Sequence, residues 1–152
     1  LEAANHQHNV IYIDDYAHHT AELEALIRGA KSLFSFTKCT VIFQPHLFSR
    51  TRDLAEDFAK SLDLADEVLL LPIYPAREQP IEGVTSDLIL KKMENENASV
   101  VSKEGLLEYL KGTYLQTVDD SSFGQVLITA GAGDIDQLIQ PVKEILLGGI
   151  KY

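Results

Sequence analysis

The stretch Val10-Ile-Tyr-Ile-Asp-Asp-Tyr-Ala-His-His-Thr20 changes character in its middle. Its first four residues are β-branched or aromatic, the composition of a buried strand. Positions 14 to 19 then bring two carboxylates, a phenol and two imidazoles. So dense a set of ionisable groups is costly in a core. In an α/β protein it belongs at the carboxyl end of a strand, where ligands bind. Directly afterwards Leu23, Leu26, Ile27, Ala30, Leu33 and Phe34 recur at helical spacing. Thr20 is expected to cap that helix, with Glu22 and Glu24 favourably placed in its first turn.

The same strand-then-helix unit repeats along the chain. Apolar runs at 10–13, 40–43, 68–71, 99–101 and 126–129 read as buried strands, starting about 30 residues apart, the length of a βα unit. Helical patterns fill the gaps: Leu54, Phe58 and Leu62 on a second helix; Leu88, Leu90 and Met93 on a third, opened by Thr85 or Ser86. A fourth runs near 104–111, and a fifth covers 135–147, which Pro141 should kink or restart. The expected fold is a Rossmann-like, doubly wound α/β domain. Its sheet of about five to six mostly parallel strands has helices on both faces. Residues 10–152 read as one domain, preceded by a tail or linker at 1–9 in which His6 and His8 are tail residues rather than ligands.

Composition narrows the function. The 152 residues carry 23 acids against 13 bases, a net charge of −10 that repels phosphate backbones, so nucleic-acid binding is not expected. The single cysteine, Cys39, allows no internal disulfide, and no apolar run has the length of a membrane span. A reducing cytoplasmic location fits, without membrane insertion.

In a doubly wound sheet the loops that follow the strands open on one edge, so 14–20, 44–53, 72–85 and 130–134 should converge. The first offers Asp14 and Asp15 to ribose hydroxyls or a metal, and His18 and His19 to anions. Its bland alternative has Asp14 capping the turn and one histidine half-buried. A metal site is disfavoured, because adjacent His18 and His19 normally point apart. The second loop, Phe43-Gln-Pro-His-Leu-Phe-Ser-Arg-Thr-Arg-Asp53, should deliver His46, Ser49, Arg50, Thr51 and Arg52 just before a helix. Guanidinium groups and free backbone N–H groups would make an anion site there. One arginine is expected to be functional and one to form a surface pair with Asp53, Glu56 or Asp57. From the third loop Tyr74 and Arg77 either reach the site or stabilise the loop. In the fourth, Gly131 and Gly133 allow either close approach to a ligand or helix–strand packing. There is no GxxxxGK[ST] phosphate loop and no nucleophile elbow.

Asp14-Asp-Tyr-Ala-His-His19, Phe43-Gln-Pro-His46 with Ser49-Arg-Thr-Arg-Asp53, Tyr74-Pro-Ala76 and Gly131-Ala-Gly-Asp-Ile135 resemble, in order and spacing, the C-terminal domain of the Mur ligases. The Phe-Gln-Pro-His and Ser-Arg-Thr-Arg runs resemble the alanine-adding branch of that family. The resemblance implies an ATP-dependent ligase of peptidoglycan synthesis that joins L-alanine to UDP-N-acetylmuramate through an acyl phosphate. It implies a lid domain that closes over a central ATPase domain, with ATP and Mg²⁺ held mainly by that domain. Carried over, Asp15 and then Asp14 would contact the ATP ribose. Tyr16 and His18 would face the substrate, and Arg50 and His46 would meet its anionic groups; His19, Arg52, Gly131 and Gly133 are further candidates. No metal ligand and no self-sufficient catalytic group is expected in this segment, so alone it should not turn over. Thr20 departs from the family's usual proline, and Leu47 from an arginine found in some members. Two other readings remain at this point. One is a stand-alone metal-dependent phosphoesterase using Asp14, Asp15, His18, His19 and His46; the other is a non-catalytic nucleotide-binding module.

Overall fold

A computed structural model describes residues 2–5, 10–120 and 124–148. The strands are β1 (Glu2–Asn5), β2 (Val10–Asp15), β3 (Lys38–Phe43), β4 (Glu67–Leu70), β5 (Ala98–Val100) and β6 (Gln125–Ala130). The helices are α1 (Thr20–Leu33), α2 (Phe48–Leu62), α3 (Asp87–Leu90), α4 (Lys103–Tyr109), α5 (Leu115–Asp120) and α6 (Ile139–Leu146). One six-stranded sheet has the order β1-β2-β6-β3-β4-β5. Every neighbouring pair from β2 onward is parallel, while β1 joins β2 antiparallel at the edge.

Alternate strand residues serve opposite faces. Val41, Phe43, Val68, Leu70, Val126 and Ile128 pack under α1, α2 and α3, against Leu23, Ile27, Phe58, Leu62 and Ile89. Tyr12, Ile42, Leu69 and Leu127 face the other way, against Leu106, Leu110, Tyr114, Val118, Val142 and Leu146. Each of these leucine or isoleucine side chains, withdrawn from water, contributes on the order of 2 kcal/mol. The sheet thus lies between two apolar layers.

Several expectations are revised. Glu2–Asn5, read as tail, forms β1 on the open edge of β2; His6 and His8 lie outside the described residues. The fourth helix does not stop near 111: a π-helical turn at Leu110–Tyr114 carries it into α5. Pro141 does mark a restart, since a 3₁₀ turn at Asp134–Leu138 precedes α6 and the proline sits in the first turn of α6. That turn lacks intrahelical acceptors for its N–H groups, so a missing N–H is tolerated there. Thr20 is not the cap of α1: His19 holds that position, and the Glu22 carboxylate accepts its N–H at 3.1 Å.

Candidate functional site

The four loops do converge at the carboxyl edge of the sheet. The first is turned by Asp15, whose Oδ1 accepts the N–H of Ala17 at 2.8 Å. The cap is therefore Asp15 and not Asp14. Asp14 is engaged elsewhere: its Oδ1 accepts the Thr129 hydroxyl of β6 at 2.7 Å. Because that hydroxyl has one hydrogen, the 2.7 Å contact between Tyr12 Oη and Thr129 Oγ1 must have the tyrosine donating. A relay of Tyr12, Thr129 and Asp14 thus runs from the core to the exposed edge. Both carboxylates are solvent-exposed and retain acceptor capacity. Tyr16 is 69% exposed, unusual for a tyrosine that no core requires.

The two histidines do not point apart. Their ring centroids are 4.3 Å from each other, because His18 lies in the turn and His19 at the helix cap. His18 Nδ1 faces the Tyr16 carbonyl at 2.8 Å and therefore carries a hydrogen. His18 then meets His46 of the second loop edge-on at 5.8 Å, and His46 stacks on Tyr74 of the third at 5.7 Å. Three loops are linked by this row of rings.

The second loop is partly misplaced by sequence alone. Ser49, Arg50, Thr51 and Arg52 lie inside the first turns of α2, not before it. Arg50 Nη1 donates to His46 Nδ1 at 3.2 Å, which leaves the remaining hydrogen of His46 on Nε2. Burial, with the Arg50 and His18 charges, holds the His46 pKa below its usual 6.5. Arg52 pairs instead with Asp53 at 2.8 Å, both exposed. Arg52 thus forms the surface pair expected of one of the two arginines, while Arg50 turns to the row of rings.

Nor is the amino end of α2 free to take an anion. Glu78 of the third loop accepts the Ser49 N–H at 3.0 Å and the Ser49 hydroxyl. These donors keep its carboxyl below the ordinary range. Arg77, one residue earlier, is exposed. Both glycines of the fourth loop have protein close against them. A Cβ on Gly131, at φ +148°, would lie 3.0 Å from the Gln44 carbonyl oxygen; one on Gly133 would lie 2.5 Å from Tyr74 Cγ. Gly131 also donates its N–H to the Asp15 carbonyl at 3.2 Å.

Gln44, buried at 3% exposure, ties the second and fourth loops. Its Nε2 donates to Asp134 at 2.6 Å and its Oε1 accepts the Ile135 N–H at 2.9 Å. Lys103 donates to the other Asp134 oxygen at 2.6 Å. Burial pushes the Asp134 pKa up, but Lys103 and Gln44 outweigh it and the group sits low. A cleft of about 290 Å³ lined by Gln44, Tyr74, Lys103 and Asp134 opens beside them. Gln44, Glu78, Thr129 and Lys103 were not singled out by sequence, because their partners lie far along the chain.

Among the described residues, His18, His19 and Glu22 form the group whose donor atoms lie within 4.8 Å of one another. Asp14, Asp15 and His46 are not in it, so the five-residue set of a metal phosphoesterase is not assembled. Glu22 already accepts N–H groups of His18 and His19, and the amino end of α1 is electropositive. Two imidazoles and one carboxylate also do not fit Mg²⁺, which takes oxygen ligands.

The mostly parallel sheet, with helices on both faces and a loop edge of carboxylates, imidazoles and guanidinium groups, is that of a Rossmann-like α/β domain. The chain belongs to the Mur ligase family, matching its glutamate ligase domain over residues 1–133. It is 53% identical over 134 residues to the UDP-N-acetylmuramate–L-alanine ligase of Cytophaga hutchinsonii, a match covering 88% of this chain and 27% of that protein. The enzyme of the same name from Porphyromonas gingivalis (strain ATCC 33277) is 52% identical over 137 residues, covering 90% of this chain and 28% of that protein. Among solved structures, the UDP-N-acetylmuramate–alanine ligase of Thermotoga maritima superposes with a TM-score of 0.64 at 31% identity, covering 92% of this chain and 27% of that one. A murein peptide ligase from Psychrobacter arcticus shares the fold, with a TM-score of 0.71 at 17% identity, covering 100% of this chain and 30% of that one. The chain therefore spans less than a third of the length of these relatives.

Proposed function

We propose that this chain is the C-terminal domain of an ATP-dependent ligase that joins L-alanine to UDP-N-acetylmuramate in bacterial peptidoglycan synthesis. The observation that carries the reading is the row of His18, His46 and Tyr74 beside Arg50, gathered from three loops in a chain of this family. In the reaction, the γ-phosphoryl of ATP passes to the substrate carboxylate and ADP leaves. The amine of L-alanine then attacks the acyl phosphate, phosphate departs, and an amide remains. The developing negative charge calls for fixed donors more than for a nucleophile.

Each group here has a part in that scheme. Asp15, with Asp14 beside it, accepts hydrogen bonds from the ATP ribose. Tyr16 and His18 face the muramoyl end. Arg50, its guanidinium steadied on His46, meets the anionic group of the substrate. ATP phosphates and Mg²⁺ are held mainly by a central ATPase domain onto which this domain closes, as a lid. Thr129 and the turn N–H each engage one oxygen, of Asp14 and Asp15 respectively, and orient the carboxylates, leaving their other lone pairs for the ribose hydroxyls. No helix among the described residues is long and apolar enough to cross a membrane.

Steady-state kinetics of the full-length ligase separate the two contacts. Asp15→Ala should raise KM for ATP, and Arg50→Ala should raise KM for UDP-N-acetylmuramate, each by about tenfold or more, the scale of one charge-assisted contact. Unchanged KM values in both variants would overturn the assignment. The isolated domain should release no phosphate with ATP, Mg²⁺ and both substrates.

A further inference from the structure

α2 begins awkwardly. Its cap residue, Leu47, has φ +73° and ψ +137°, a region that disfavours any side chain. Within the next three residues the helix presents Arg50, on the side of the row of rings. A turn so strained and so cationic needs an external hold, and the third loop provides one on both sides of Phe48. Before the helix, the Leu47 N–H donates to the Tyr74 carbonyl and the Tyr74 N–H to the Pro45 carbonyl, both at 2.8 Å. Inside the first turn, Glu78 takes the N–H and the hydroxyl of Ser49. Between these attachments a tight turn, with Glu78 N–H on the Pro75 carbonyl at 2.9 Å and Ala76 at φ +53°, keeps the strap short.

The consequence is chemical as well as mechanical. Glu78 fills the helix-end position that an anionic ligand would otherwise take. A substrate anion approaching the row of rings then meets the guanidinium of Arg50. We propose that Glu78 is a positioning residue: it clamps the first turn of α2, sets the Arg50–His46 pair, and directs the substrate anion to Arg50 rather than to the helix end. The inference rests on the reading of Arg50 as a substrate contact.

The test is a double-mutant cycle in the full-length ligase, with KM for UDP-N-acetylmuramate and kcat measured separately. Glu78→Ala should raise KM about fivefold to tenfold with a smaller change in kcat. Glu78→Gln, whose amide oxygen still accepts the Ser49 N–H, should restore most of the loss. Adding Glu78→Ala to Arg50→Ala should change KM by less than twofold, because the contact that Glu78 positions is already gone. Wild-type KM in Glu78→Ala, with Arg50→Ala impaired, overturns the positioning role alone. So does full multiplicative loss in the double variant. An unimpaired Arg50→Ala overturns the reading of the site itself. Should Glu78→Ala fail to fold, Glu78→Gln decides: an increase in KM as large as that of Arg50→Ala contradicts the clamp.

Discussion

Replacing Gly133 by alanine asks what the fourth loop is for. The added methyl would stand 2.5 Å from Tyr74 Cγ, 2.6 Å from Tyr74 Cβ and 2.7 Å from Gln44 Oε1. Relief needs movement of about 1 Å to reach ordinary contact distance. Neither neighbour is free to give it. Tyr74 is held through both backbone groups, to Pro45 and Leu47, and Gln44 Oε1 accepts the Ile135 N–H. The cost should sit in the upper part of the overpacking range, roughly 2–3 kcal/mol. In a domain of this length that lowers Tm by about 5–10 °C. Gly29 supplies the control: it is exposed on α1, and nothing lies within 4 Å of a Cβ built there. Gly29→Ala should therefore raise stability by about 0.5–1 kcal/mol through helix propensity alone. Thermal and urea denaturation of both variants decide the matter. A Gly133→Ala protein as stable as wild type would refute the packing account and return the glycine to a ligand role.

Three further outcomes are expected. Gln44→Leu removes the acceptor of the buried Ile135 N–H and a donor to Asp134, and should cost about 2–4 kcal/mol in urea unfolding at unchanged slope. Leu47→Gly relieves the φ +73° strain and should hold or raise Tm, whereas a fall of several degrees would mean that the leucine side chain matters more than its backbone. His46 has a folded pKa below its unfolded 6.5, so the unfolded chain binds the extra proton first: this group's contribution to stability is complete above pH 6.5 and is lost as pH falls toward the folded pKa. Arg50→Gln should move that folded pKa upward in an NMR titration of the ring protons; no movement would contradict the Arg50 contact.

The fold was readable because buried parallel strands read as short apolar runs, and all five of those runs became strands. β1 escaped because Glu2-Ala-Ala-Asn5 has no strand pattern of its own; the unpaired edge of β2 makes it a strand. The π turn at Leu110–Tyr114 escaped because its leucine and tyrosine look like ordinary helical positions. At the site, the topology predicted the convergence of the loops carrying His18, His46 and Arg50 and left Tyr74 open, but it gave none of their partners. Ser49 and Glu78 are 29 residues apart and Gln44 and Asp134 are 90 apart, so no local spacing records either bond. The same limit hid that Asp15, not Asp14, caps the turn. Asp14 is engaged by Thr129, a residue of another strand that no local pattern reveals.

The central claim is that this domain serves an alanine-adding ligase and cannot act without the rest of it. The direct measurement is phosphate release from ATP by the full-length polypeptide and by residues 1–152 alone, with UDP-N-acetylmuramate and L-alanine omitted in turn. Release by the full-length protein should require both substrates, and the domain alone should be silent. Turnover by the domain alone, or release by the full-length protein that is indifferent to L-alanine, would contradict the account.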